Sequence, residues 1–337
     1  MKILITGGAG YIGSHTIIEI LQHTNWEVVS IDNYATSSEE TYARIEAITG
    51  KKVLSHTVDL KNYEELLKVV SLYNDIKGII HFAAHKWVGD SVENPLKYYE
   101  NNVGGLANIL KVQTECHIPN FIFSSSCSVY GNITELPVTE NSKLNVAESP
   151  YAYTKQIGER IITDYTNSQE GKKAISLRYF NPVGAHPSGL NGEIQPQPNN
   201  LVPFITQTAI GKIKSLTVYG NSYVTKDGTC VRDYIHVSDI ASAHVLALDY
   251  LLNEDVTLNH EIINLGTGAG VTVLEAIHAF EKVSGVKLKY TIGERRDGDV
   301  AAIYANNEKA RKLLGWTPQY NLEDMMLSAW KWEQYIF

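Results

Sequence analysis

A short apolar run, Lys2-Ile3-Leu4-Ile5-Thr6, passes straight into Gly7-Gly8-Ala9-Gly10-Tyr11-Ile12-Gly13, and a strand feeding such a turn constrains the fold more than anything else in the chain. The string satisfies G-x-x-G-x-x-G and, from Gly8, G-x-G-x-x-G. Glycines there permit a tight turn, close approach to a pyrophosphate and tight helix–strand packing. The helix N-terminus that follows offers free amides and partial positive charge. Alone, the pattern also describes an ordinary glycine turn. Context decides: Asp32 lies at the end of the next candidate strand, 19 residues past Gly13. A carboxylate there accepts hydrogen bonds from an adenosine 2′-hydroxyl and repels a 2′-phosphate, so NAD is expected rather than NADP.

Apolar runs then alternate with amphipathic stretches. Strands are expected at 2–6, 27–31, 53–57, 78–82, 121–125 and 174–179, and helices at 11–23, 39–48, 63–73, 95–116 and 151–167. Strand–helix alternation with β-branched strands predicts an α/β fold, a doubly wound parallel sheet of the Rossmann type. Right-handed crossovers place ligands at the carboxyl ends of its strands. After about Phe180 the rhythm changes. Residues 181–203 are rich in Pro, Asn and Gly and read as a long ligand-facing loop. Further helices are expected at 200–211, 238–252, 273–283, 308–314 and 322–335, with short strands at 215–219, 262–265 and 287–290. The expected organisation is an NAD-binding domain over 1–180. Residues 181–337 form mainly a smaller substrate lobe, some segments of which return to the first domain.

A net charge of -8 argues against nucleic acid or an anionic membrane surface as the main partner. The three cysteines, Cys116, Cys127 and Cys230, form no CxxC pair and suit a reducing compartment. The apolar stretch at the start is too short for a signal peptide, and no run approaches the ~18 residues of a membrane span. A soluble cytoplasmic protein is expected.

Tyr151-Ala152-Tyr153-Thr154-Lys155 holds a Tyr-x-x-x-Lys pair, which a helix places on one face. The spacing proves little, because Tyr73 and Lys77 repeat it off the end of a helix. Position separates them. Tyr151 opens the helix after the fifth strand, and Ser124-Ser125-Ser126 ends that strand. A Ser–Tyr–Lys set suits removal of a sugar hydroxyl proton coupled to hydride loss. Bringing a tyrosine from pKa ~10 to near 7 requires roughly 4 kcal/mol of preferential phenolate stabilisation, for which Lys155 and a cationic nicotinamide ring are the candidates.

The glycine string, Ser124–Ser126 with Val129-Tyr130-Gly131, and Ser149-Pro150-Tyr151 through Lys155 resemble the extended short-chain dehydrogenase/reductase family. Arg178-Tyr179-Phe180-Asn181-Pro182-Val183-Gly184-Ala185-His186, Pro198-Asn199-Asn200-Leu201 and Val231-Arg232-Asp233-Tyr234-Ile235-His236-Val237 resemble, more specifically, the UDP-glucose 4-epimerase family. The resemblance runs from residue 1 to about 332. It implies NAD-dependent interconversion of UDP-glucose and UDP-galactose, by transient oxidation at C4′ and hydride return to the opposite face.

The resemblance also implies site roles. Gly7, Gly10, Tyr11, Ile12 and Gly13 would hold the pyrophosphate, and Asp32, Asn33 and Ser37 the adenosine ribose. Asp59 and Leu60 would flank adenine, while Phe82, Ala83, Lys86, Asn101 and Phe180 line the cofactor cleft. Ser126, Tyr151 and Lys155 would be catalytic and touch the cofactor. Lys86, Asn181, Asn200, Leu201, Tyr219, Arg232, Arg296 and Asp299 would hold the UDP-hexose, together with Ser126 and Tyr151.

A nucleotide-sugar 4,6-dehydratase uses the same cofactor and Tyr/Lys pair, but its elimination needs Asp-Glu after the strand-end hydroxyl. Cys127 and Ser128 stand there instead. A non-enzymatic NAD sensor is expected to have lost Ser126, Tyr151 or Lys155, and all three remain. In the family, the residue four past the aspartate matched by Asp299 sets the room beside the sugar C2 substituent. Here it is Ile303, intermediate in size, which leaves N-acetylated UDP-hexoses open as substrates. His81 and His85 leave a strand without an acidic partner set, so no metal is expected. The family pairs as a homodimer through two helices per subunit, here 95–116 and 151–167.

Overall fold

The computed structural model describes residues 1–195, 197–253, 255–296 and 300–337. The strands are β1 (Lys2–Thr6), β2 (Glu27–Asp32), β3 (Leu54–Thr57), β4 (Ile76–His81), β5 (Asn120–Ser126), β6 (Lys173–Tyr179), β7 (Asn181–Val183), β8 (Leu216–Tyr219), β9 (Val231–Arg232), β10 (Tyr234–His236), β11 (His260–Leu265), β12 (Val271–Thr272), β13 (Tyr290–Gly293) and β14 (Ala302–Ile303). The helices are α1 (Tyr11–His23), α2 (Glu40–Thr49), α3 (Tyr63–Val70), α4 (Val88–Glu93), α5 (Pro95–Tyr98), α6 (Gly105–Glu115), α7 (Pro150–Ser168), α8 (Leu201–Ala209), α9 (Val237–Leu252), α10 (Val273–Ser284), α11 (Glu308–Leu314) and α12 (Leu322–Ile336).

Seven strands form one parallel sheet in the order β11-β6-β5-β4-β1-β2-β3. The strand order reverses between β1 and β4, the switch point at which a doubly wound sheet opens a crevice. Side chains alternate across the sheet as the two-residue period requires. Ile3, Ile5, Ile80 and Ile122 pack with α1 and α9 on one face. Leu4, Ile79, Phe121 and Phe123 pack with α3 and α6 on the other. Each such side chain, fully buried, contributes roughly 1.5–3 kcal/mol.

The second lobe closes on its own core of Ile205, Val218, Ile277, Phe280 and Met326. Its helices α10 and α12 begin with reciprocal capping boxes, Thr272 with Glu275 and Asn321 with Asp324, which satisfy otherwise orphaned amides. A smaller cluster of Val129, Tyr130, Val138, Phe180 and Ile303 lies beside the end of β5. Residues beyond Phe180 do not all stay in the second lobe: β11 pairs with β6 and α9 packs against the central sheet.

Two expected elements differ. The helix expected at 95–116 is interrupted: α5 leads into a π-helical turn, Tyr99–Gly104, before α6. The Asn102 side chain, tied to the backbone of His85 in both directions, and the weak helix formers Gly104 and Gly105 accompany the change of winding. The strand expected at 287–290 begins only at Tyr290. Glu281 holds the preceding residues to the end of α10, accepting from the Leu288 amide at 2.9 Å and pairing with Lys287 at 2.8 Å. The two- and three-residue strands β7, β9, β10, β12 and β14 are too short to leave a periodic signature.

Candidate active site

The β1–α1 turn is built by backbone approach. Gly7 has φ +73°, and a Cβ there would lie 2.7 Å from the Ala83 amide nitrogen, so the loop after β4 can press against the turn. A Cβ at Gly13 would lie 2.3 Å from the Gly7 carbonyl oxygen, so only glycine lets α1 start this close to the turn. No side chain caps α1 at Gly10, and no acidic residue occupies its first turn. Its leading amides therefore face outward as anion donors. They open on a cleft lined by Gly7, Gly10, Asp32, Asn33, Ser37, Leu60, Phe82, Ala83 and Asn101.

Asp32 is buried and accepts from the Ala9 amide (3.0 Å), the Tyr34 amide (2.9 Å) and Ser37 Oγ (2.9 Å). With about four acceptor positions on a carboxylate, capacity remains for a hydroxyl in the cleft. Asp59, between Val58 and Leu60 of the cleft lining, accepts from Asn33 Nδ2 at 3.3 Å and from the Lys61 amide at 2.9 Å. Val58, unmarked in the sequence, also lines the cleft. Lys86 sits at the rim, ion-paired with Glu193 and 5.9 Å over the Tyr11 ring. The α1 cradle, the ribose-side carboxylate and the apolar Leu60 and Phe82 walls fit a dinucleotide such as NAD.

The proton-handling groups meet at the carboxyl end of β5. Ser149 caps α7, accepting from the Ala152 amide at 3.2 Å, and Pro150 occupies the first turn, the arrangement that fixes a helix start. This places Tyr151 in the first turn and Lys155 one turn later. Lys155 Nζ donates to the Ser124 carbonyl at 2.7 Å and lies 4.9 Å from the Phe123 ring centroid and 5.9 Å from that of Tyr151. Ser126 Oγ accepts from the Ser128 amide at 3.2 Å and meets Ser128 Oγ at 3.0 Å.

Burial pushes the Tyr151 phenol up to about 12, and its hydrogen bond with Ser126 pulls the other way. Burial lowers Lys155 to about 8, with Glu159 opposing. Phenolate therefore requires further positive charge from whatever fills the cleft. Burial lowers His81 to about 3, and its Nδ1 meets Thr6 Oγ1 at 2.7 Å, so it adds no charge. His85, half-buried, packs against Tyr98 instead. Among the described residues, no group of three or more His, Cys, Asp or Glu is arranged around a common ion position.

Behind the strand end lies a buried polar network with no signature in the sequence. Glu159 accepts from Ser125 Oγ at 2.6 Å and pairs with Arg178 through Nε at 2.8 Å and Nη2 at 2.6 Å. Arg178 reaches Tyr130 at 2.9 Å, and Tyr130 donates to Asn264 at 2.6 Å. Asn102, held by the π-helical turn, donates to Thr154 at 3.1 Å. Buried networks of this kind, fully satisfied, rigidify what they touch.

The residues expected on the substrate side fall in two groups. Phe180 and Ile303 are buried together beside the β5 end, and Ile303 is in register with Arg232 on β9. Arg232 donates to the carbonyls of Val231 (2.9 Å) and Val300 (2.8 Å), and its charge acts on Cys127, which burial raises to about 12. Asn181 on β7 donates its backbone N–H to the Asp233 backbone carbonyl at 3.0 Å. The second group is more open. Arg296 stacks over Tyr219 at 3.9 Å, Asn200 is exposed at the start of α8, and Leu201 packs at the edge of the second core. Asp299 lies outside the described residues.

The family described as GDP-mannose 4,6 dehydratase matches residues 4–328. A UDP-glucose 4-epimerase of Bacillus subtilis is 45% identical over 335 residues, 99% of this chain and 97% of its own length. The chain belongs to the UDP-glucose 4-epimerase family. A Stenotrophomonas maltophila UDP-glucose 4-epimerase solved with NAD and formylated UDP-arabinopyranose superimposes with a TM-score of 0.96 at 40% identity, covering 100% of this chain and 98% of that one. One from Bifidobacterium longum, solved with NAD+ and UDP, gives 0.93 at 42%, covering 99% and 98%. The dehydratase family model and the epimerase relatives cover the same stretch of this chain. What separates them is the pair after Ser126. Cys127 is a thiol that burial keeps protonated and Ser128 a hydroxyl, and neither can act as the carboxylate that elimination demands.

Proposed function

We propose that this chain interconverts UDP-glucose and UDP-galactose with tightly held NAD. The observation that carries the reading is the convergence of Ser126, Tyr151 and Lys155 on the end of β5, next to the glycine cradle, with no carboxylate after Ser126. Gly7, Gly10, Tyr11, Ile12 and Gly13 would hold the pyrophosphate of NAD, and Asp32, Asn33 and Ser37 its adenosine ribose. Asp59 and Leu60 would flank the adenine, and Phe82, Ala83, Lys86, Asn101 and Phe180 would line the remainder. When bound, NAD supplies the acceptor for the C4′ hydride and a positive ring beside the phenol.

Tyr151 takes the proton of the sugar 4′-hydroxyl and returns it after the 4-keto sugar has turned over. Ser126 bonds the same oxygen and relays the proton. Lys155, fixed on the Ser124 carbonyl, keeps positive charge beside the phenolate. Asn181, Asn200, Leu201, Tyr219, Arg232, Arg296 and Asp299 grip the uridine diphosphate and leave the pyranose free to present its other face. Charge-assisted bonds from the arginines, ~1.5–3 kcal/mol each, suit a diphosphate. Ile303 narrows the room beside C2 less than an aromatic and more than a small residue would, so N-acetylated UDP-hexoses stay open as substrates, which a direct assay with both UDP-sugars decides.

The assay is conversion of UDP-galactose to UDP-glucose by wild type and Tyr151→Phe. The variant is expected to lose ~10²–10⁴-fold in turnover while retaining bound NAD. Near-normal epimerisation by it would refute the assignment. We also propose a cytoplasmic homodimer. Val88, Val92, Leu96 and Tyr153 leave an apolar face exposed on α4, α5 and α7, and no helix among the described residues is long and apolar enough to cross a membrane. Sedimentation at micromolar concentration measures the oligomeric state.

A further inference from the structure

The segment 191–195 runs beside the first turns of α1, next to the dinucleotide turn, and is fastened along its passage. Asn191, fully buried, donates to Ser14 Oγ on α1 at 2.9 Å, and its carbonyl accepts from the His186 amide at 2.8 Å. Gly192 lies flat on Trp332 of α12, where a Cβ would come within 2.5 Å of the indole. Trp332 Nε1 donates to the Glu193 carbonyl at 2.8 Å, and Gln207 of α8 donates to the Gln195 carbonyl at 2.8 Å. Between those anchors the Glu193 carboxylate reaches out and pairs with Lys86, in the loop after β4. Lys86 lies over the ring of Tyr11, and Tyr11 is itself tied to the second lobe through the Gly184 carbonyl at 2.6 Å.

We infer that Glu193 is a positioning residue for cofactor retention: its ion pair with Lys86 closes a strap over the amides that receive the dinucleotide pyrophosphate. The inference rests on the NAD-binding reading above. The strap's backbone is held by α1, α8 and α12, so it carries a carboxylate from the second lobe to a cation on the first. The two lobes then meet beside Tyr11, the first residue of α1, and a pyrophosphate leaving the α1 amides is expected to part them. Glu193 is largely buried and Lys86 half-exposed, with side-chain exposures of 12% and 49%. The pair is therefore stronger than a free surface contact and still reachable by salt.

The test loads wild type and Glu193→Gln with isotopically labelled NAD and follows release into excess unlabelled NAD. Release from Glu193→Gln is expected to be about fivefold faster, as loss of ~1 kcal/mol of ion pairing implies. Added salt is expected to speed release from wild type more than from the variant. The exchanged pair Lys86→Glu with Glu193→Lys is expected to restore slow release relative to either single reversal. Equal release from wild type and Glu193→Gln, with the same salt response, overturns the strap. So does a variant that changes only the KM for the UDP-sugar, since Glu193 then orients Lys86 toward the sugar alone. A wild-type protein that binds no NAD fails the proposed function itself, a separate result.

Discussion

The end of β5 and the Tyr219–Arg296 wall of the second lobe, both of which serve the reaction proposed above, are built on opposite principles. At the strand end every group is locked: Lys155 on a carbonyl, Ser126 on its turn, and the strand itself on the Glu159–Arg178 pair, whose side chains are 5% and 2% exposed. On the wall, Arg296 leans on a Tyr219 ring that is 39% exposed, and Asn200 stands free of the core. Proton and hydride must leave and return at one fixed point, and small misplacement there is expensive. The sugar must rotate between those two events, so the groups around it gain nothing from rigidity.

The contrast can be broken first at its rigid end. Arg178→Ala leaves the Glu159 carboxylate buried without its partner, and about 3–5 kcal/mol of stability is expected to disappear, read by urea denaturation. A loss below about 1 kcal/mol would mean that the network is ornamental.

A second effect concerns pH. The folded protein sheds the Lys155 proton near 8, while the unfolded chain keeps it to its ordinary value of 10.5. The unfolded state therefore binds more protons between those values, and this group's contribution makes stability rise with pH across that window. Activity goes the other way. Above about 8 the charge beside Tyr151 is lost, so kcat/KM is expected to fall by up to tenfold per pH unit. Lys155→Met is expected to abolish that limb, at a low plateau. An alkaline limb surviving in Lys155→Met would assign it to another group.

The smallest change is expected on the open wall. Arg296→Ala removes a cation–π contact worth ~0.5–1 kcal/mol at an exposed site, and any diphosphate contact with it. KM for UDP-galactose is expected to rise several-fold, with kcat and thermal stability near wild type. A large fall in kcat instead would show the wall to be as exacting as the strand end.

Legibility followed the range of the interactions. The β1–Gly–α1 turn, Asp32, the serines ending β5 and a helix opening at Tyr151 could be read because turn and helix spacing are decided within a few residues. The π-helical turn at Tyr99–Gly104 could not, since its winding is tied to the bond from Asn102 back to His85, 17 residues away. Nor could the placement of β11 beside β6 or the bond from Asn33 to Asp59, both set by which strands become neighbours.

By itself the sequence determined the doubly wound sheet, the dinucleotide cradle and the Ser–Tyr–Lys set, because alternation, glycine sterics and helical spacing act locally. Only the tertiary structure decided what stands behind and over them. The Glu159–Arg178 pair is 19 residues apart and the Lys86–Glu193 pair 107 residues apart. Charges so distant in the chain become partners only when the packing of separate elements brings them together.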